Sequence, residues 1–143
     1  MSISQARRLC VALCLCLVTP AAALAGTLCA TDNINPANNT VVLKTDPDFA
    51  AGAIVGLHGW LSNGTVTIPM HGTAVVDSAG ARVKIAIQGI DNVRHQHVGI
   101  AIDTDLMLNG SGTFENVNPG RPFTYDIIPV TWTALDSCPD APP

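Results

Sequence analysis

The stretches TVTIPMHGTAVVD (Thr65–Asp77), RVKIAIQ (Arg82–Gln88) and HVGIAIDTDLML (His97–Leu108) decide the fold class. In the first, Val66, Ile68, Met70, Ala74 and Val76 are apolar, and Thr65, Thr67, His71, Thr73 and Asp77 alternate with them. In the second, Val83, Ile85 and Ile87 alternate with Arg82, Lys84 and Gln88. In the third, Val98, Ile100, Ile102, Leu106 and Leu108 alternate with His97, Asp103 and Asp105. Successive side chains on a strand point to opposite faces, so a period of two marks half-buried strands with one face inward and one in water.

The segments between them read as turns. Asp77-Ser78-Ala79-Gly80 separates the first two stretches. Asn63-Gly64 lies between Trp60 and Val66, and Asn109-Gly110 lies between Leu108 and Thr113. Asn-Gly accepts the positive φ angles that tight hairpins require. Asn118-Pro119-Gly120-Arg121-Pro122 ends a strand around Phe114 and starts one from Phe123 to Ala134; Val41–Thr45 and Ala53–Leu61 are earlier strands. Thr31–Thr40 reads as an irregular lead-in. Sustained helical spacing is missing beyond residue 25, and the short candidate Asp46–Ala51 is hemmed in by Pro47 and Gly52. Short connections favour antiparallel neighbours. The expectation is therefore an all-β meander of about seven or eight strands forming a small barrel, with a β-sandwich as the alternative.

The N-terminal stretch has the form of an export signal. Arg7 and Arg8 precede an apolar run from Leu9 to Val18, which is shorter than the ~20 residues of a spanning helix. Ala23-Leu24-Ala25 supplies a small-x-small cleavage pattern. Residues 1–25 are expected to be a signal peptide and 26–143 a single exported β-domain, soluble and periplasmic or secreted. Removing Cys10, Cys14 and Cys16 leaves Cys29 and Cys138 in an oxidising compartment, where a disulfide joining the two ends is expected.

The same cleavage cuts seven Lys and Arg to five against eleven Asp and Glu, turning a net charge of −4 into −6. Such a chain repels phosphate backbones and anionic lipid, which argues against nucleic-acid partners. No later apolar run is long enough to span a membrane. The six aromatics Phe49, Trp60, Phe114, Phe123, Tyr125 and Trp132 are too few for the girdles of a membrane barrel.

Chemistry-bearing residues are sparse. His95-Gln96-His97, read as strand, places two imidazoles on one face, with Asp103 and Asp105 further along; His71 joins them only if its strand lies nearby. Imidazole with carboxylate would hold a divalent transition metal as cofactor. The spacing of Gly89, His95, His97, Asp103 and Gly110 resembles the first metal motif of the cupin family. That family, however, has glutamate soon after the histidine pair and a further histidine downstream, where this chain has none after His97. A site on that pattern would recruit His58 or His71 instead. There is no Gly-x-Ser-x-Gly elbow, and no catalytic residue is assigned.

The leading expectation is a non-enzymatic barrel. It binds a small apolar or neutral ligand at its mouth, with contact area from Trp60 or Trp132, or it binds a cell-envelope partner. The alternatives are a cupin-like metal protein using His95, His97 and Asp103, and a cell-surface structural or interaction protein.

Overall fold

The computed structural model describes residues 26–34, 38–45, 49–120 and 122–140. The segment read as a signal peptide, 1–25, lies outside the described residues. Eight antiparallel strands follow one another round a closed barrel, and no helix occurs among the described residues. They are β1 (Thr27–Asp32), β2 (Thr40–Thr45), β3 (Ile54–Ser62), β4 (Thr67–Val76), β5 (Arg82–Asp91), β6 (Gln96–Asp105), β7 (Gly110–Asn118) and β8 (Thr124–Ala134). The barrel expectation holds, and the sandwich is set aside.

Period-two patterning turns directly into an inside and an outside. β5 alternates exposed and buried at all ten positions, with Val83, Ile85 and Ile87 inward. One inward row crosses six strands from Val55 through Ala74, Ile85, Ile102 and Gly112 to Val130. Full burial of such a Val or Ile side chain contributes about 1.5–3 kcal/mol. Glycine appears inward where strands crowd: a Cβ at Gly72 would strike the carbonyl of Ala86, and one at Gly112 that of Ala101. Small inward residues let the sheet coil tightly enough to close.

Closure carries a stagger. A second inward row runs Leu28, Leu43, Gly59, Met70, Gly89, Val98, Asn116, Asp126. At the seam, Ala30 pairs with Ala134, Thr31 with Thr133 and Asp32 with Trp132. Continuing that register, Leu28 would face Asp136, ten residues beyond Asp126. Strand tilt and stagger are linked in any barrel. Here they leave the first part of β8 standing above the end of β1.

Beyond β8 the chain turns back over the outside. Leu135 N–H donates to the Cys29 carbonyl at 3.0 Å, and Cys138 bonds to Cys29 with a Cα–Cα distance of 5.3 Å. Cys29 pairs with Val42, and Val42 with Trp60, in an outward-facing row. Covered by this tail, Cys29 and Val42 are buried although they face away from the barrel. That also explains why β1 does not read as a strand in the sequence. Leu28, Cys29 and Ala30 are consecutively buried, inside by the core and outside by the tail, so no alternation survives.

Another correction concerns the end of β6. Alternation carried the strand to Leu108, but it stops at Asp105, and a turn closes through Asp105 N–H to the Asn109 carbonyl at 2.9 Å. Leu108 takes a left-handed backbone (φ 72°) and is fully buried. With Phe49, Val76 and Val83 it fills the lower end of the barrel. Asn109-Gly110 therefore leads into β7 rather than forming the tip of the hairpin.

Candidate functional site: the barrel mouth

The β1–β2, β3–β4, β5–β6 and β7–β8 turns all lie at the upper end, where a cavity of about 170 Å³ opens. Its apolar wall comes from Ile34, Leu61, Val66, Ile68, Val98 and Phe114. The polar remainder is Asn39, Asn63, Asp91, Arg94, Gln96 and Asn116.

Two buried carboxylates build this rim. Asp32 accepts the Asn39 backbone N–H at 2.7 Å and the Ile34 N–H at 3.2 Å on Oδ1, and the Asn39 side-chain amide at 2.7 Å on Oδ2. It holds the β1–β2 turn against the barrel. Asp91, at the end of β5, accepts the N–H groups of Val93 and Arg94 at 2.9 and 3.0 Å. Its other oxygen lies 3.9 Å from the Arg94 guanidinium. Both acids are thus committed to shaping turns, and the Arg94 guanidinium already has a counter-charge.

What remains is a set of neutral amides above an apolar floor. Among them Asn116 stands out, because its Oδ1 is buried without a hydrogen-bond partner. An unmade bond on a buried acceptor costs about 1–3 kcal/mol. Chemically, the lining offers apolar contact from one set of side chains and neutral amides from another. No known protein family, curated protein or solved structure matches this chain. The functional reading therefore rests on the geometry of the mouth.

The residues singled out from the sequence fall elsewhere. Trp132 is inward and 1% exposed, packed in the core with its indole Nε1 unpartnered. Trp60 is outward and half-buried, beside Pro139 and Asp140 of the tail. The mouth lining includes neither tryptophan. His95 belongs to the β5–β6 turn with a left-handed backbone (φ 56°), so it does not share a strand face with His97. His97 faces outward between Ile90 and Val117, and Asp103, further down β6, forms an ion pair with Arg82 at 2.6 Å. His71 and His97 do line one depression on the outer wall, together with Gln88 and Glu115. No group of three or more His, Cys, Asp or Glu side chains able to hold a metal ion occurs among the described residues. Asp105 accepts the Met107 and Asn109 N–H groups at 2.8 and 2.9 Å, a turn-shaping role like that of Asp91.

Sequence reasoning passed over Gln96 and Asn116. A signal was present: both are polar residues in the inward phase, Gln96 with Val98 and Ile100, Asn116 with Gly112 and Phe114. Polar residues in that phase near strand ends mark where a barrel interior meets water.

Proposed function

We propose that this protein binds a compact neutral molecule, about the size of a single ring, in the mouth of the barrel. The observation that carries the reading is the half-apolar cavity of about 170 Å³ rimmed by the side-chain amides of Asn39, Asn63, Gln96 and Asn116. That volume is close to cavities of ~150 Å³ that accept benzene and below the ~300–1,000 Å³ typical of drug-sized ligands. The ligand's apolar face lies against Phe114 and Val98, and its polar group meets the side-chain amides that line the mouth, those of Gln96 and Asn116 among them. The disulfide suits an oxidising compartment, in keeping with an exported binding protein.

The test is thermal denaturation against a panel of neutral single-ring amides, with charged analogues for comparison. A ligand at a hundred times its Kd stabilises by about 2.7 kcal/mol. The expected result is a saturable rise in Tm for neutral members, lost in Val98→Phe, which fills the cavity. No shift with any member, or equal shifts in Val98→Phe, overturns the reading.

A second reading has its own observation. The upper part of β8 has no strand on its β1 side among the described residues, and Tyr125, Ile127 and Ile128 are exposed on its two faces. An extended segment of an envelope protein could add to this edge. If so, Ile127→Lys abolishes capture of that protein without changing ligand binding at the mouth.

A further inference from the structure

We propose that Asn63 is a self-modifying residue, converted to aspartate or isoaspartate by attack of the Gly64 nitrogen within the β3–β4 turn. The site stands on the geometry of that turn and does not depend on what the mouth binds. Asn63 Oδ1 accepts two backbone N–H groups, from Thr65 at 3.0 Å and Val66 at 2.9 Å. The two donors point at the atom on which negative charge builds when a nucleophile adds to the side-chain amide carbon, the same arrangement by which oxyanion holes act. The nucleophile is next in the chain. Gly64 N–H donates to Ser62 Oγ at 3.1 Å, so an oxygen is already in place to receive its proton and relay it to water. Gly64 is exposed, has a positive φ of 82°, and has open space where a Cβ would stand, so no side chain screens this peptide from water on that side.

The chemistry balances without redox. The Gly64 nitrogen bonds to Asn63 Cγ as its proton leaves through Ser62. The tetrahedral intermediate expels ammonia and leaves a succinimide ring, and water opens the ring at either carbonyl. The products are a carboxylate and one ammonia per site. Since Asn63 lines the mouth, the reaction adds a negative charge to the lining to which Arg94 also belongs.

The second Asn-Gly pair shows why structure selects between them. Asn109 has its amide held at both ends, Nδ2 donating to Asp105 at 3.1 Å and Oδ1 accepting from Ala134 at 2.8 Å. Gly110 sits inside the β6–β7–β8 ladder, paired with Thr104 and Trp132. Ring closure there requires breaking the sheet.

The experiment is incubation of the full chain in mildly alkaline buffer, with peptide mapping by mass spectrometry and isoaspartate detection. The expected result is replacement of NH₂ by OH at Asn63 at least about tenfold faster than at Asn109, a barrier difference of one rate decade. Ser62→Ala slows Asn63 by about fivefold, a modest share of general-base assistance, and leaves the Asn109 rate unchanged. Conversion of both asparagines at equal rates, no conversion of Asn63, or an unchanged Asn63 rate in Ser62→Ala each overturns the proposal.

Discussion

Four aspartates, Asp32, Asp77, Asp91 and Asp105, shape turns by accepting backbone N–H groups. Asp91 is nearly fully buried, and its loss leaves the Val93 and Arg94 N–H groups without an acceptor at the mouth. Asp91→Ala is expected to lower stability by about 1–3 kcal/mol, read as a fall in the denaturant midpoint at constant m-value. Asp77 and Asp105 contribute a pH dependence. Hydrogen bonds from the Ala81 and Arg82 backbone hold the Asp77 carboxyl below its ordinary range. Partial burial pushes Asp105 up, but bonds from the Asn109 side chain and backbone and from Met107 outweigh it, and the net shift is down. A carboxyl whose pKa is lower folded than unfolded adds stability above its unfolded value, about 3.9, and loses it as pH falls through the folded value. The denaturant midpoint should therefore stay level from neutral pH to about 5 and drop below about 4, as the two carboxyls take up protons. Asp77→Asn with Asp105→Asn flattens that drop; an unchanged profile in the double variant contradicts the assignment. These roles were only half legible. Asp77 and Asp91 stand in turn-like sequence, whereas Asp105 read as the outward face of a strand until Leu108 was seen to turn inward.

At the scale of elements, legibility followed exposure. β4, β5 and most of β6 have one wet face, and their alternation was readable. β1 and β2 are covered on both sides; Leu28-Cys29-Ala30 gives an apolar run with no period and does not read as a strand, whereas Val41–Thr45 reads as one in spite of the same covering. The tail that covers them is held by the Cys29–Cys138 bridge, whose cysteines lie 109 residues apart. Loop-closure entropy for a separation of that size is worth up to about 4.7 kcal/mol in the chain model. Cys29→Ser with Cys138→Ser should cost about 2–5 kcal/mol. The loss should fall first on β1, seen as faster amide hydrogen exchange at Ala30 and Thr31 than at Ile85 and Ile87. Uniform acceleration through β5 would mean that the bridge supports the whole barrel and not its seam.

The whole molecule is a staggered barrel, filled below and open above. Barrel closure could be inferred from short hairpins and the two terminal cysteines, but the location of the opening could not. It depends on which turn drops a plug inward, as Leu108 does, and which ends its strands with inward amides, as Gln96 and Asn116 do. The claim that this mouth receives a compact neutral ligand is tested most directly by titrating benzamide into isotopically labelled protein and following its amide resonances. The account predicts saturable shifts confined to the mouth, with the side-chain amides of Gln96 and Asn116 moving most and the outer-wall residues His71 and Gln88 still. Shifts centred on the outer wall, or none at all, would contradict it.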